Sequence, residues 1–316
     1  MKKKKLSIQQ QKNMISARSQ RQEHYEQVIL GVVITHRGKT IDCLAADRVI
    51  TLKNSRTFDL VVGDEITLGL STGKDPEILV QHPRKNRLER FTAEQATKCL
   101  AANIDLAIVV IAPEPTPWPQ VLAQYATHLA NLNIDFCFIL NKKDLLNDLS
   151  EITERLSYFN KNLNVPVIYT STKTKEGLDS LKKIIANKKS IIIGPSGAGK
   201  SSLIKNLLKI DDILVGDLSS TQKGQHTTSV TQLYFLDDKT GIIDSPGIRQ
   251  LAMEKLSIEQ LLSGFPDFRK AGCKFKDCDH ITSGFCELQK SIESGIIAQH
   301  RYEDYLFLRN KFVLIS

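Results

Sequence analysis

The chain has 316 residues, of which 41% are hydrophobic, and its formal net charge is +8 at pH 7. That apolar fraction is enough for real cores in two or three domains. No apolar run is long enough to span a bilayer, which argues against a membrane-spanning protein. The positive charge favours a polyanionic partner without identifying one.

Residues 1–25 are basic and almost without apolar side chains. The segment lacks the apolar core of a secretory signal peptide. We predict a disordered basic arm, which is either a solvated tail or an arm that contacts RNA. Its basic residues are Lys2 to Lys5, Lys12, Arg18 and Arg21.

Residues 26–92 have the pattern of a small β-domain. Short β-rich runs alternate with turns formed by Gly, Asp and Pro. Five short strands so close together favour a small closed barrel, most commonly the OB-fold. Such barrels often bind single-stranded nucleic acid or structured RNA, and an inert spacer barrel is the alternative. The basic stretch 83–90 is interpreted as a linker that closes this domain, and the predicted strands are 27–35, 40–45, 48–52, 65–68 and 77–80.

From residue 93 to residue 256 the pattern changes to alternating strands and helices. Continuous apolar runs of this kind are typical of a sheet that is covered on both faces. They predict an α/β domain, with helices wherever apolar residues recur at helical spacing. The predicted strands include 105–111, 135–140 and 165–169, and the predicted helices include 119–132, 150–160 and 177–186.

A phosphate-binding loop is predicted at residues 194–201. It follows the apolar run 190–193 and precedes a helix-like run at 202–208, and this strand–loop–helix context makes the match specific. Glycines let backbone amides wrap a phosphate at the positive end of a helix. Lys200 is predicted to reach the β- and γ-phosphates, and Ser201 to bind Mg²⁺. The predicted contacts are Gly194, Pro195, Ser196, Gly197, Ala198, Gly199, Lys200, Ser201 and Ser202.

A guanine-reading motif, Asn-Lys-Lys-Asp, follows the strand 135–140. The Asp144 carboxylate can accept from both N1–H and the 2-amino group of guanine, a donor pair that adenine lacks. Asn141 is expected to brace the neighbouring loops and Lys142 to cover the base, with Lys143 in the same set of GTP contacts. One strand later, Ser171 is expected to offer its backbone amide to guanine O6.

The polar segment 217–229 and the run Asp-Ser-Pro-Gly at 244–247 have the composition of the two switches of a GTPase. Asp244 is predicted to hold Mg²⁺ through water, and the Gly247 amide to meet the γ-phosphate. Either Thr227 or Thr228 would close over Mg²⁺ when the third phosphate is present.

The residue that orients the attacking water differs from the common pattern. Many GTPases have a glutamine directly after the glycine of the second switch. Here that position holds Ile248, which cannot hydrogen-bond, so slow intrinsic hydrolysis is expected. The nearest polar candidate is His226, for which a solvent-exposed loop histidine is the alternative interpretation.

A cluster of cysteines and one histidine occurs near the C-terminus. Three thiolates and one imidazole are the full ligand set of a closed structural zinc site. A nucleotide-binding chain without an export signal is expected in the cytoplasm, where metal binding is favoured over disulfides. Residues 257–316 are therefore predicted as a helical zinc-binding domain, with a helical tail at 291–312 and the ligands Cys273, Cys278, His280 and Cys286.

The motifs are those of a GTPase, but the base readers precede the phosphate loop. This order is similar to that of the circularly permuted GTPases. The chain most closely resembles the small ribosomal subunit biogenesis GTPase family (RsgA, also called YjeQ), and the resemblance covers nearly the whole chain beyond Glu26. It rests on NKKD, TSTK, GPSGAGKSS, GQHTTS, DSPG and the cysteine cluster, in that order.

The resemblance implies an OB-fold, a permuted GTPase domain and a zinc-binding helical tail that dock on the 30S ribosomal subunit late in its maturation. It implies a monomeric enzyme that converts GTP to GDP and phosphate, with 16S rRNA as a partner and stimulation by the subunit coupled to release. It also points to His226 as the catalytic residue. The alternative is a GTP-gated RNA- or protein-binding module whose hydrolysis is incidental.

Overall fold

The computed structural model describes residues 25–54, 57–91, 97–115, 117–146, 151–208, 230–245, 255–275, 278–281 and 285–313. Its strands are β1 (Gln27–His36), β2 (Thr40–Ala45), β3 (Arg48–Lys53), β4 (Glu65–Leu70), β5 (Glu77–Gln81), β6 (Arg87–Phe91), β7 (Thr97–Ala102), β8 (Leu106–Ile111), β9 (Phe136–Leu140), β10 (Val167–Tyr169), β11 (Lys189–Ile193), β12 (Gln232–Phe235) and β13 (Gly241–Asp244). Its α-helices are α1 (Val121–Asn131), α2 (Glu151–Leu163), α3 (Leu178–Ile185), α4 (Lys200–Leu208), α5 (Ile258–Leu262), α6 (Leu288–Glu293) and α7 (Gln299–Phe312).

The first five strands form the predicted barrel. β1 pairs antiparallel with both β2 and β4, β2 pairs with β3, and β4 pairs with β5. The strands enclose a separate apolar core, which confirms the OB-type expectation. This core includes Val33, Ile41, Cys43, Ile66 and Leu68.

The basic stretch 83–90 was interpreted from the sequence as a linker, but only its first half is one. Its second half belongs to β6, which forms an antiparallel hairpin with β7. Leu88 is fully buried, so the run alternates between a buried side chain and charged neighbours, the period of a strand. The high density of Lys and Arg had obscured that alternation.

The α/β part is a sheet with helices on both faces. Its order is β10-β9-β8-β11-β13-β12, with parallel pairing throughout except for β12, which is antiparallel to β13. Successive residues of β8 enter opposite cores: Val109 packs with α1 and α2, and Val110 packs with α3 and α4. This is the doubly covered sheet expected from the continuous apolar runs.

Two connections at this sheet involve its strands β11 and β12. A three-residue turn joins α3 to β11, where Asn187 has φ 58 and the amide of Lys188 donates to the Ile185 carbonyl. The second connection follows β13 and β12 in the sheet order: Thr35 of β1 pairs with Gln232 of β12, so the barrel continues the α/β sheet.

The C-terminal module, residues 255–313, packs on the outer side of α1 and α2. Its core contains Phe265, Phe268 and Tyr305 together with Ala123 of α1. The tail predicted at 291–312 as helical is two helices, because Gly295 takes φ 75 between α6 and α7. The boundaries predicted after residues 25, 92 and 256 stay predictions. In the part of the chain that the structure describes, no helix is long and apolar enough to cross a membrane.

Replacing Gly264 by alanine is expected to loosen the contact between the C-terminal module and α1. A Cβ at Gly264 would lie 2.0 Å from Thr127 Oγ1 and 2.7 Å from Thr127 Cα, which cannot rotate away. Overpacking of this kind costs about 1–3 kcal/mol, so the thermal midpoint of Gly264→Ala should fall. Ser263→Ala removes only a local hydrogen bond to Gln260 and should shift the midpoint less. Equal midpoints for the two variants would contradict close packing here.

Candidate guanine-nucleotide site and metal cluster

The phosphate loop, residues 194–201, connects β11 to α4 and touches the end of β8. Gly194 has φ 141, and a Cβ there would lie 2.0 Å from the carbonyl oxygen of Val110. Only glycine permits this backbone path. The path delivers the chain to the N-terminus of α4, where backbone amides favour an anion.

Lys200 begins α4, and its ammonium group lies inside the phosphate loop. Nζ donates to the carbonyl oxygens of Gly194 at 2.8 Å and Pro195 at 2.7 Å. The register of β11 against β13 pairs Ile192 with Asp244, which brings that carboxylate beside the loop. Burial raises the pKa of Asp244 and the nearby Lys200 lowers it, as expected for a carboxylate that shares a partly dry site with a cation.

Asn141 ties the base-reading motif to the phosphate loop. Its side chain is buried; Nδ2 donates to the carbonyl oxygen of Ala198 at 3.0 Å, and Oδ1 accepts from Thr170 Oγ1 at 3.1 Å. A Cβ on Gly199 would lie 2.2 Å from Asn141 Nδ2, so a larger residue there would displace the brace. One amide therefore connects three loops that are far apart in sequence.

Asp144 has an exposed carboxylate that a neighbouring hydroxyl orients. Ser171 Oγ donates to Asp144 Oδ1 at 2.6 Å. This hydrogen bond, with Lys173 and Lys142 nearby, holds the pKa of Asp144 below its usual value. The group is therefore an ionised acceptor at neutral pH, which suits two adjacent donors such as those on the edge of guanine.

Ser171 has a different role from the one we predicted. Its backbone N–H donates to the carbonyl oxygen of Glu176 at 3.1 Å, so this amide is not free for guanine O6. Its hydroxyl instead orients Asp144 and accepts from the amide of Thr174 at 3.2 Å. The sequence pattern located the loop but could not tell which group of Ser171 takes part.

Lys142 makes a further link between the base-reading motif and the phosphate loop. Its Nζ donates to the carbonyl oxygen of Glu114 at 2.8 Å. The next residue, Pro115, lies against Gly197, where a Cβ would be 2.9 Å from Pro115 Cδ. No sequence pattern marks Glu114 and Pro115, because any residue can supply a backbone carbonyl and a proline ring contact has no characteristic motif.

The remaining predicted nucleotide contacts fall into two groups. Ser201 and Ser202 lie in the first turn of α4 with exposed side chains, and the Lys143 ammonium pairs with the Glu176 carboxylate. Four predicted site residues lie outside the described residues, and their roles stay predictions: His226, Thr227, Thr228 and Gly247.

The predicted metal ligands come together in the C-terminal module. One ligand atom from each of Cys273, Cys278, His280 and Cys286 lies within 4.8 Å of all the others. His280 Nδ1 is 3.6 Å from Sγ of both Cys273 and Cys286, and these two Sγ atoms are 4.0 Å apart. Burial lowers the pKa of His280, which keeps the imidazole neutral as metal ligation requires. The four residues could hold a metal ion.

Strand order and site geometry together define the class of protein. β11 leads into the phosphate loop, while β9 and β10, which precede it in the chain, lead into the base-reading loops. The chain is therefore a circularly permuted P-loop GTPase, an enzyme that hydrolyses GTP. It belongs to the RsgA GTPase family, whose model matches residues 81–254.

Curated relatives and solved structures agree with this assignment. The Small ribosomal subunit biogenesis GTPase RsgA of Hahella chejuensis is 37% identical over 291 residues, which cover 88% of this chain and 83% of that protein. The protein of the same name from Pectobacterium carotovorum is 33% identical over 332 residues, covering 96% and 94%. The crystal structure of YjeQ from Thermotoga maritima has a TM-score of 0.73 at 23% identity, covering 90% of this chain and 99% of that one. This last likeness supports the fold.

Asp144→Asn is expected to exchange guanine preference for xanthine preference. The amide replaces one acceptor by a donor, so it no longer matches the N1–H and 2-amino donors of guanine but can pair with the 2-oxo group of xanthine. Affinity for GDP should fall about 10- to 100-fold and affinity for XDP should rise, measured by equilibrium titration. Asp179→Asn, at another exposed carboxylate, should change neither. Unaltered GDP binding by Asp144→Asn would remove Asp144 from the reader role.

Proposed function

We propose that this GTPase acts in late maturation of the small ribosomal subunit, by docking on the 30S particle and its 16S rRNA. Binding of the particle stimulates GTP hydrolysis, and hydrolysis is coupled to release. The enzyme works as a monomer in the cytoplasm. The observation that carries the proposal is that a relative named for small ribosomal subunit biogenesis matches 88% of the chain, well beyond the GTPase motifs.

Charge and architecture support an RNA partner. The chain carries a net charge of +8, and Lys or Arg contacts to phosphates supply much of the affinity for nucleic acid. An OB-type barrel offers a surface of the kind that often binds RNA. The barrel continues the sheet of the GTPase domain through the Thr35–Gln232 pair, so an RNA bound to the barrel would be held close to the nucleotide domain.

The described residues account for the binding half of the reaction. The phosphate loop would cradle the phosphates, with Lys200 reaching the β- and γ-phosphates. Mg²⁺ would be held by Ser201 and, through water, by Asp244, and it supplies positive charge against the phosphate oxygens. The guanine base would be read by Asp144, with Asn141 and Ser171 holding that carboxylate and its loops in place.

The hydrolytic half depends on the two switches. We assign the contact with Mg²⁺ to Thr227 or Thr228 and the contact with the γ-phosphate to the Gly247 amide. His226 would orient the attacking water, since Ile248 offers no polar group. Docking on the particle would bring this histidine into position, which is how a partner can raise a slow intrinsic rate.

The four-residue cluster in the C-terminal module fits zinc. Tetrahedral bonds of about 2.3 Å to sulfur and about 2.0–2.1 Å to nitrogen place neighbouring sulfurs about 3.8 Å apart and sulfur about 3.6 Å from nitrogen. The corresponding distances here are 4.0 Å between Cys273 and Cys286 and 3.6 Å from either to His280. Four protein ligands leave no open coordination position, so we assign one structural zinc without a catalytic role.

The zinc assignment predicts about one zinc per chain in protein purified without chelator. Cys278→Ser should lose the metal and lower the thermal stability of the C-terminal module, because a structural zinc contributes directly to folding. Cys99→Ser, outside the cluster, should retain the zinc. The measurements are elemental analysis and thermal unfolding. A metal-free wild-type protein with a folded C-terminal module would contradict the assignment.

The ribosomal proposal predicts that GTP turnover is low for the free protein and rises sharply with 30S particles but not with 50S particles. The GTP form should bind 30S particles better than the GDP form, and binding should weaken with salt because contacts to rRNA release counterions. Co-sedimentation and phosphate release measure both effects. Stimulation by a protein or an unrelated RNA, with 30S particles inactive, would favour the GTP-gated binding module instead.

His226→Ala is expected to keep GTP binding and 30S binding while losing most of the stimulated turnover. Orienting the water matters only once the particle is docked, so the intrinsic rate should change less than the stimulated one. Ile248→Ala serves as the control, since that side chain cannot contact the water through a polar group. Full stimulated turnover by His226→Ala would show that the histidine does not act on the water.

A further inference from the structure

Two loops form the base-reading side of the site, and they are linked by more than the Ser171–Asp144 hydrogen bond. The motif 141–144 follows β9, the loop 170–176 follows β10, and these strands are parallel neighbours. The amide of Lys143 donates to the carbonyl oxygen of Thr170 at 3.0 Å. The two loops therefore lie edge to edge, and the alignment of Asp144 depends on how the second loop is folded.

Glu176, the last residue of the 170–176 loop, contacts both its own loop and the motif 141–144. Its backbone carbonyl accepts from the amide of Ser171 at 3.1 Å, and its carboxylate accepts a hydrogen bond from the ammonium of Lys143. One residue thus closes the loop that contains Ser171 and connects it to the residue adjacent to Asp144.

Gly177 explains why Glu176 can reach this position. It has φ 75, and a Cβ there would lie 2.1 Å from the carbonyl oxygen of Tyr169 at the end of β10. Only glycine tolerates both the backbone angle and the close approach. The chain therefore turns directly over the strand end, which returns Glu176 to the side of the motif 141–144 before α3 begins.

The charges near Asp144 have different partners. Lys142 is held by the Glu114 carbonyl, and Lys173 and Lys142 both lower the pKa of Asp144. The Lys143 ammonium is paired with Glu176 instead. The GTP contact predicted for Lys143 stays a prediction, and in this structure its ammonium joins the two loops.

We propose that Glu176 is a positioning residue for guanine recognition, acting through Lys143 to hold the 170–176 loop so that Ser171 presents the Asp144 carboxylate to the base. The inference rests on the proposed reader role of Asp144. Neither Glu176 nor Lys143 needs to touch the nucleotide.

The test compares the affinities of the full-length protein for GDP and for IDP, which lacks the 2-amino group. A misaligned Asp144 loses contact with that group, so the preference for GDP over IDP should shrink. For Glu176→Ala the expected loss of GDP affinity is about two- to fivefold, the upper range for breaking a partly exposed ion pair. IDP affinity should fall less. The substitution keeps the backbone carbonyl and therefore tests the carboxylate alone.

Four further variants separate positioning from a general loss of stability. Lys143→Met should cause the same loss as Glu176→Ala, and the double variant should be no worse than either, because both remove one interaction. Lys143→Arg keeps a cation and should retain the wild-type preference. Asp75→Ala breaks the exposed pair with Lys53 in the barrel and should leave the preference unchanged.

An unchanged GDP-to-IDP ratio in Glu176→Ala, or additive losses in the double variant, would overturn the proposal. Asp144→Asn distinguishes this failure from failure of the reader itself. If Asp144→Asn loses GDP affinity while Glu176→Ala does not, only the positioning role is wrong. If neither variant affects GDP binding, the base is read elsewhere.

Discussion

The close contact between the phosphate loop and the ends of β8 and β9 is the constraint on which the nucleotide site depends. No side chain fits between Gly194 and the Val110 carbonyl, or between Gly199 and the Asn141 amide. The phosphate-binding and base-reading parts are therefore held together by backbone contact and by one buried amide. This explains how the chain can reverse the order of the motifs without changing the site: what matters is which strand ends are adjacent in the sheet, not which comes first.

The C-terminal module is attached to α2 by buried polar and charged side chains. Arg301 donates to Asp267 through Nε at 3.0 Å and Nη2 at 2.9 Å, and Tyr158 of α2 donates to the same carboxylate. Arg155 of α2 pairs with Asp304 of α7, and both side chains are almost fully buried. Buried ion pairs contribute little net stability, but removing one partner is costly because it leaves the other charge buried without compensation. The Tyr158 hydrogen bond and the Arg155–Asp304 pair therefore fix how the module sits on α2 more than how strongly it is held.

Sequence patterns predicted those parts of the fold that depend on local periodicity. The barrel strands, the apolar strands of the sheet and α1 to α4 all show the apolar spacing of their class, and glycine-rich or Asn-Lys-Lys-Asp motifs mark chemistry that few other residues can perform. The hairpin of β6 and β7 was missed because Leu88, the buried side chain of β6, lies among charges. The break at Gly295 was missed because apolar spacing continues on both sides of it.

The finer site geometry could not be predicted, for a different reason. Ser171 uses its amide and its hydroxyl on different partners, and Lys142 is anchored by the Glu114 backbone. Such bonds depend on where strand ends meet in space, and any residue can supply a carbonyl. Sequence therefore indicated which loops take part, while the atoms that make each contact emerged only from the folded chain.

The turn at residues 186–188 has a consequence for protein engineering. It is the only covalent connection between α3 and β11, so it separates the base-reading motifs from the phosphate loop along the chain. Cutting the polypeptide there would leave guanine recognition on one fragment and phosphate recognition on the other. Because β11 pairs with β8 of the first fragment, the two fragments would associate through the sheet, and GTP, which contacts both of them, would tighten that association, so that a split form of this enzyme would be held together more firmly by its own substrate.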